Sequence, residues 1–556
     1  MGRVVVLGGG MIGQCTAMML ADQGCDVTVL ERDDAPVPSS SSEAWQAWAR
    51  PGVAQFRQPH FLHPAGARIL ESWLPGVWES LARAQAARFS ALDIMPPFIT
   101  TDRGPQDGDE RFVTRTGRRP VLEYAVASVA GQRLDIRRGT TVAGLLAGAP
   151  AAPAAPPVPG TPHVTGVRLA DGTELPADLV VDAMGRRSAM PAWLSGIGAQ
   201  PPEEEAEDSG FIYYTRFFRP AGGAGVPPYR AGLLTHFECF SLLTLPGDAD
   251  TWSVTVYLAS GDQALKGLRH AGPWTALVEA CPMHAHLLQG EPITDVLAMG
   301  GVVDRRRRFV VAGAPVVTGV VSVGDAWGCT NPSLGRGITM GLMHAAGTAE
   351  VIRDHLGDPL ALALAHDEMT QATVTPWYQN TIQLDRARRA QLQAAAGEPA
   401  GAAGGVAGAA GEPAGVAGAA GKPAGAGPAA GSAGADPAAR LQQAFPVAML
   451  YDADVFRAFI EIIGLLALPQ EVLSRPGMAE RIMKVAADHD EFVVPGPSRA
   501  EVLSILNDQD AGPSGPSRPS GQWSQRGQRG QRGSRPGGRP ALADRRGSCC
   551  RSTAYR

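Results

Sequence analysis

The opening of the chain constrains its fold more than any other stretch. It runs Val4-Val-Val-Leu-Gly8-Gly-Gly10-Met-Ile-Gly13, then an apolar segment to Leu20, a turn at Gly24, and a second β-branched run, Val27-Thr-Val-Leu30, closed by Glu31. Strand, glycine turn, helix and strand in this register form a βαβ unit. Gly8 allows the tight turn, Gly10 lets a pyrophosphate approach the backbone, and Gly13 lets helix and strand pack closely. Free N–H groups and the dipole at the helix start favour an anion. Glu31 is placed to accept ribose hydroxyls, and its charge repels a 2′-phosphate. A dinucleotide is therefore expected, with FAD and NAD both open at this point.

The 556 residues leave room for one large composite enzyme domain or two to three smaller ones. With 44% apolar and 19% charged residues, most of the chain is expected to fold. A net charge of −5 gives no overall basic field for nucleic acid. Seven cysteines, widely spread and without CxxC spacing, suggest neither a zinc site nor a redox pair, so no metal and a reduced, cytoplasmic compartment are expected. Met1 to Ala21 superficially resembles a signal peptide, but its glycines fit the nucleotide fold and the segment reads as retained. The uncharged run Phe309 to Gly324 is too short to span a bilayer and carries Gly and Pro, so no transmembrane helix is expected.

Two segments have linker composition. Ala394 to Ala439 is almost wholly Ala, Gly and Pro, with imperfect repeats starting at Gly397, Gly411 and Gly421, and Gly does not recur in the strict collagen period. It is expected to be a disordered surface excursion. Ala511 to Arg556 holds ten Arg and one Asp, with Gln-Arg-Gly steps. Arg-Gly runs can contact phosphates, but composition alone carries no mechanism here, so the tail reads as a disordered solubilising end with no specific nucleic-acid partner. Elsewhere short β-branched runs alternate with helical stretches, as in α/β folds. Strands are expected at Arg3 to Leu7, Asp26 to Leu30, Leu179 to Asp182 and Val320 to Val323. Phe211 to Leu258, aromatic and β-branched, reads as a second sheet covering a substrate cavity. Leu441 to Leu468 and Glu471 to Ala487 have helical spacing, and Ser498 with Glu501 forms a capped helix start. These helices are expected to pack back on the core.

A second motif lies almost 300 residues after the first: Val320-Val-Ser-Val-Gly324-Asp325-Ala-Trp-Gly-Cys-Thr-Asn331-Pro332-Ser-Leu-Gly335-Arg-Gly337-Ile338-Thr-Met-Gly341. With it the chain resembles the FAD-dependent monooxygenase superfamily typified by p-hydroxybenzoate hydroxylase, in which Gly-Asp-Ala and a downstream Pro-x-x-Gly-x-Gly close the flavin site. By that resemblance the dinucleotide is FAD, Asp325 binds the ribityl chain, and Pro332, Gly335, Gly337 and Ile338 wrap the isoalloxazine. A glycine-rich turn into an apolar helix presents N–H donors without side-chain obstruction, which agrees. Arg119-Pro-Val-Leu122 resembles the element whose arginine reaches the cofactor. Trp48-Ala-Arg50-Pro-Gly-Val-Ala-Gln55 resembles the flavin-lining segment of actinomycete-type members, including polyether epoxidases, making Arg50 and Gln55 cofactor candidates. Arg32, next to Glu31, is a further candidate. His60 and His63 read as structural, having no acid or metal partner at defined spacing.

One string departs from the family pattern. Where Gly-Ala-Asp-Gly-x-x-Ser is common, this chain has Asp182-Ala-Met184-Gly185-Arg-Arg-Ser188, and it has no second glycine fingerprint for a nicotinamide cofactor. Electrons are therefore expected from transiently bound NAD(P)H or from a separate flavin reductase. The halogenases of this fold use a lysine and a Trp-x-Trp-x-Ile-Pro string. Here the lysines are Lys266, Lys422 and Lys484, and Trp45-Gln-Ala-Trp48 has the wrong spacing, which argues against halogenation.

The resemblance implies an α/β fold in which a Rossmann-like FAD-binding domain is built of discontinuous segments, residues 1–200 and 301–393. A β-rich substrate domain is inserted at 201–300, a low-complexity linker at 394–440, a helical region at 441–510 and a basic tail at 511–556. It implies a cytoplasmic enzyme of secondary metabolism that inserts one oxygen of O2, by way of a flavin C4a-hydroperoxide, into an apolar or aromatic small-molecule substrate by hydroxylation or epoxidation. A flavin-dependent reductase or dehydrogenase of isoprenoid-like substrates is the alternative, and a nucleic-acid or partner-binding module acting through the Arg-Gly tail is a distant third. No catalytic side chain is singled out, since the reagent belongs to the cofactor.

Overall fold

The computed structural model describes residues 2–148, 160–222, 225–397 and 437–510. Most of the Ala/Gly/Pro segment and the whole basic tail lie outside the described residues.

Strands β1 (Arg3–Leu7), β2 (Asp26–Leu30), β3 (Asp135–Arg137), β4 (Leu179–Asp182) and β11 (Val320–Ser322) form a parallel sheet in the order β11-β4-β1-β2-β3. Helix α1 (Met11–Asp22) makes the crossover from β1 to β2, which pair in register from Arg3 with Asp26 to Leu7 with Leu30. Alternate residues of β1 serve two cores, as expected of a sheet covered on both faces. Val4 and Val6 pack with α1, α2 (Arg119–Ala130) and α3 (Gly337–His355), while Val5 and Leu7 pack with Leu145, Val164, Val167 and Met190 on the far side.

The second sheet is antiparallel. Strands β6 (Leu234–His236), β7 (Ser241–Pro246), β8 (Trp252–Ala259) and β5 (Phe211–Arg219) lie side by side in that order. Two short strands, β9 (Glu291–Pro292) and β10 (Leu297–Gly300), pair with the outer edge of β5. One face, carrying Tyr214, Phe218, Trp252 and Val254, packs on helix Ala271–Glu279 and on Val502 and Leu506 of α6 (Arg499–Asp510). On the other face Phe211, Tyr213 and Tyr257 meet Leu392 of α4 (Thr375–Ala396). Consequently all eight residues of β8 are buried, and a strand covered on both faces has no polar side to alternate with.

The helical stretches after the insertion are shorter than their spacing predicts. The run from Leu441 to Leu468 begins earlier, at Pro437, and breaks before Asp452, whose side chain accepts from the N–H groups of Asp454 and Val455 and starts α5 (Ala453–Ile463). The run from Glu471 to Ala487 breaks at Gly477, which is left-handed at φ 78°. The Ser498 cap forms, its N–H and hydroxyl donating to Glu501 at 2.7 and 2.8 Å. At the insertion, α4 continues to Ala396 and stops at Gly397, also left-handed at φ 73°. Helical residues therefore occupy both edges of the 394–440 segment, since Ala carries a helix until the first Gly. Among the described residues no helix is long and apolar enough to cross a membrane.

Candidate functional site

The three glycines of the opening motif have different surroundings. A Cβ on Gly8, at φ 104°, would stand 2.5 Å from the Ala183 carbonyl oxygen, and one on Gly13 would stand 2.0 Å from the Gly8 carbonyl oxygen. Both are demanded by packing. A Cβ on Gly10 would meet nothing within 4 Å. Gly10 also caps α1 without any side-chain hydrogen bond, and the first turn contains no acid. The helix therefore presents its orphan N–H groups to open space, as an anion site requires.

Beside this turn the sequence-predicted residues Glu31, Arg50 and Arg119 come together. Glu31 Oε2 accepts from the Gly9 N–H at 2.9 Å and from Arg50 Nη2 at 2.8 Å, and Oε1 accepts from the Asp33 N–H at 2.9 Å. Arg50 also reaches Asp33 at 3.0 Å and Glu123 at 3.2 Å, and Glu123 in turn pairs with Arg119 at 2.7 Å. Glu31 is thus held by its neighbours with acceptor capacity left on Oε1 for a ribose hydroxyl. Arg32 is exposed, and the half-buried Gln55 side chain makes no hydrogen bond among the described residues; neither joins the cluster.

The two glycine motifs meet. Ile12 of the first loop is the nearest side chain to Gly324, at 3.2 Å from an ideal Cβ, and to Gly341, at 2.7 Å. Asp325 follows Gly324, half-buried and with no hydrogen-bond partner among the described residues. Burial raises its pKa, and the charges of Arg119 and Arg186 oppose the rise. Further along, Gly335 turns left-handed at φ 66° to start α3, whose N-terminus has neither a side-chain cap nor an acid, and Gly337 faces open space. Ile338 is buried in the core below. Pro332 opens the short turn, and Asn331 before it donates its N–H to Asp304 and accepts from the Tyr213 hydroxyl at 2.7 Å. His63 ties the same turn to the first flank: its Nε2 bonds the Leu334 carbonyl at 2.8 Å, and its N–H donates to Thr339. Burial pushes the His63 pKa down to about 4, the Leu334 bond opposing and Arg336 assisting. Neutral at pH 7, His63 braces the loop.

These features fit a dinucleotide with a flavin ring. There is an uncapped helix start opening on empty space, a carboxylate with spare acceptor capacity beside it, the Asp325 carboxyl without a hydrogen-bond partner among the described residues where the second motif meets the first, and a second uncapped helix start at the far end. At Asp182 the departing string is structural. Its carboxylate accepts from the Met184 N–H at 3.0 Å and from the hydroxyls of Ser188 and Ser322, joining β4 to β11.

A cavity of about 620 Å³ opens against the second loop. Ser333 to Arg336 form part of its wall, and most of the remainder is apolar, including Phe61, Phe89, Phe112, Leu245, Phe456 and Ile460. Part of its polar lining comes from α4, where Asp385, Arg388 and Gln391 share one face; Asp93, Arg103 and Arg230 line it from exposed positions elsewhere. Asp385 Oδ1 accepts from the Ser333 hydroxyl, while Oδ2 is buried without a partner. Sequence reasoning missed Asp385, Arg336 and Arg388. In a helix also carrying Arg386 and Arg389, a charge at 385 or 388 looks like solvated surface, and only a count of the buried face at i, i+4, i+7 would have raised it.

Residues 3–103 match the sequence profile of the FAD dependent oxidoreductase family. The protein Rv3254 of Mycobacterium tuberculosis is 26% identical over 404 residues, covering 68% of this chain and 79% of its own. Among solved structures, PqsL of Pseudomonas aeruginosa, described as a probable FAD-dependent monooxygenase, superposes with a TM-score of 0.52 at 17% identity, over 70% of this chain and 96% of PqsL. The Diels-Alderase PyrE3 of pyrroindomycin biosynthesis matches more loosely, with a TM-score of 0.45 at 18% identity over 72% and 81% of the two chains. The first hundred residues are thus similar to the FAD dependent oxidoreductase family, and the chain shares the fold of PqsL.

Proposed function

We propose that the protein is an FAD-dependent monooxygenase acting on a largely apolar organic substrate in the cavity between the parallel sheet and the second sheet. The observation that carries this reading is that the Ser333–Arg336 turn, which enters the uncapped start of α3, is itself a wall of that cavity. In this reading the start of α1 with Gly10 holds the diphosphate, Glu31 with Arg50 and Arg119 the adenosine side, and Asp325 the ribityl chain. The first N–H groups of α3 face the ring, where they stabilise negative charge on it. Bound there and reduced, a flavin would supply two electrons to O2 and the substrate the other two, so that one oxygen atom would enter the substrate and the other would leave as water with two protons. The chain's own task is to orient the substrate and keep water out, which the apolar walls support. Because Met184 stands where the family resembled often has Asp, and the sequence carries no second glycine fingerprint, this reading takes the electrons from transiently bound NAD(P)H or from a separate reductase.

The test is direct. The purified chain should be yellow, retain or regain FAD, and consume O2 when reduced with substrate present, giving a product heavier by one oxygen atom. Substrate turnover without oxygen uptake would assign it instead to the reductases and dehydrogenases.

A further inference from the structure

The polar side of the cavity holds positive charge that the described protein residues do not neutralise. Buried charges are normally paired, because an uncompensated ion in a low-dielectric interior is strongly destabilising. Among the described residues, six of the eight buried arginines obey this, each having a carboxylate within 4 Å. The two without one among the described residues are Arg336 and Arg388, and both line the cavity.

Their remaining bonds are to neutral groups. Arg388 donates to the Ser241 hydroxyl, the Gln391 amide oxygen and the carbonyls of Phe237 and Phe240, which locks it in place. Arg336, 3% exposed, lies over the Trp377 ring. It gives Nη1 to Asn380 Oδ1 at 2.8 Å and to Thr381 Oγ1 at 3.0 Å. Its Nε and Nη2 donors have no partner among the described residues. That edge of a guanidinium is the one that grips a carboxylate through two parallel bonds. Burial lowers the Arg336 pKa to about 10, so it stays charged at neutral pH. The acid on this side, Asp385, lies one turn along α4 from Thr381. Burial is the largest influence on it and pushes its pKa up to about 7, with the Ser333 bond opposing. At neutral pH it is therefore only part of a counter-charge.

We propose that the cavity accepts a substrate bearing one carboxylate on an otherwise apolar body, with the carboxylate seated on the free Nε/Nη2 edge of Arg336 beside Asp385. This rests on reading the cavity as the substrate site. The anion completes the charge balance that the protein leaves open, and the apolar walls take the rest of the molecule. Seating an anion beside Asp385 also favours the protonated acid, so binding weakens as pH rises through neutrality. The groups facing Asp385 are Ser333 and Asn331 from the loop, Arg336 from the start of α3, Asp304 from the strand Val303–Arg308, and Tyr213 and Tyr257 from β5 and β8. Arg388 lies further along its own helix. Asp304, raised to about 6 chiefly by burial, titrates nearby and needs its own control.

The experiment is calorimetric titration of the full FAD-loaded chain with 2-naphthoate and with uncharged 2-naphthamide at pH 6, 7 and 8. Expected is at least a tenfold preference for the naphthoate at pH 6, weakening several-fold by pH 8. Arg336→Met should abolish the preference and Arg336→Lys should retain part of it. Asp385→Asn should keep the preference while flattening its pH dependence, whereas Asp304→Asn should leave the slope in place. Absent or equal binding of naphthoate by the parent chain, or a preference that survives Arg336→Met, overturns the proposal. If Arg336→Met does not fold, the parent preference and the Asp385→Asn profile decide. Heat of binding needs no turnover, so a chain that prefers the naphthoate yet takes up no oxygen on reduction keeps this inference and loses the monooxygenase reading.

Discussion

Gly10→Ala separates a glycine kept for a ligand from one kept for packing. Gly10 has φ −75° and ψ 175°, a conformation any L residue adopts, and the added Cβ would meet nothing within 4 Å. As a helix N-cap, Ala is somewhat worse than Gly, by about 0.5–1 kcal/mol. Against this, replacing Gly with Ala restricts the unfolded chain and stabilises by about 0.4–1 kcal/mol. The two terms offset, so apoprotein stability should change by less than about 0.5 kcal/mol, within the error of a urea melt. FAD binding should behave differently. If the diphosphate approaches the N-terminus of α1, the methyl group occupies its path and removes a hydrogen bond to a charged group, a loss of about 1.5–3 kcal/mol. That is about ten- to hundredfold in Kd. Fluorescence titration of apoprotein with FAD, paired with urea unfolding of the same apoprotein, reads both quantities. An unchanged Kd would remove Gly10 from the cofactor site. A stability loss above about 1.5 kcal/mol would mean that the space in front of it is not open.

Gly13→Ala should give the opposite pattern, because its Cβ would lie 2.0 Å from the Gly8 carbonyl oxygen and α1 would have to move off the strand. Overpacking of this kind costs about 1–3 kcal/mol, read as a lower urea midpoint already in the apoprotein. A second prediction concerns Asp109, which Arg457 of α5 holds at 2.9 Å. Burial alone would raise the Asp109 pKa, but the Arg457 hydrogen bonds and charge outweigh it and the net shift is downward. A carboxyl lowered on folding contributes stability above the ordinary carboxyl range of about 3.9, and that contribution is lost as pH falls through the folded value. Thermal melts of the parent should therefore decline in acid. Asp109→Asn should already be destabilised at pH 7 by about 3 kcal/mol, because it strands Arg457, and should show a flatter acid limb. Equal acid slopes in the two proteins would refute the pairing.

What could be read from the sequence divides along a physical line. The βαβ unit and the Gly324–Gly341 turn were legible because their chemistry is backbone chemistry. A tight turn, a close approach and an uncapped helix start each demand glycine at a fixed local spacing, and those demands are written in consecutive residues. The order of the parallel sheet was not, since β11 reaches its place beside β4 through pairing between residues about 140 apart, and no local pattern encodes such a partner. Nor could burial of Arg306 and Arg307 be foreseen. Four consecutive arginines read as surface until Glu203, Glu204 and Glu205 appear opposite Arg308, Arg307 and Arg306 in register. The large cavity is the extreme case, because its lining is drawn from the segment after β2, the second sheet, the turn before α3, one face of α4 and the helix α5. Arg336, Asp385 and Arg388 look in sequence like ordinary charges on a glycine turn and a polar helix. Their meaning follows only from what surrounds them, since a guanidinium in water has counter-ions everywhere, whereas one sealed against Trp377 can be balanced only by a group placed beside it. It is thus the missing partner, and not the residue itself, that carries the functional information, and a missing partner can be recognised only after every other neighbour has been placed.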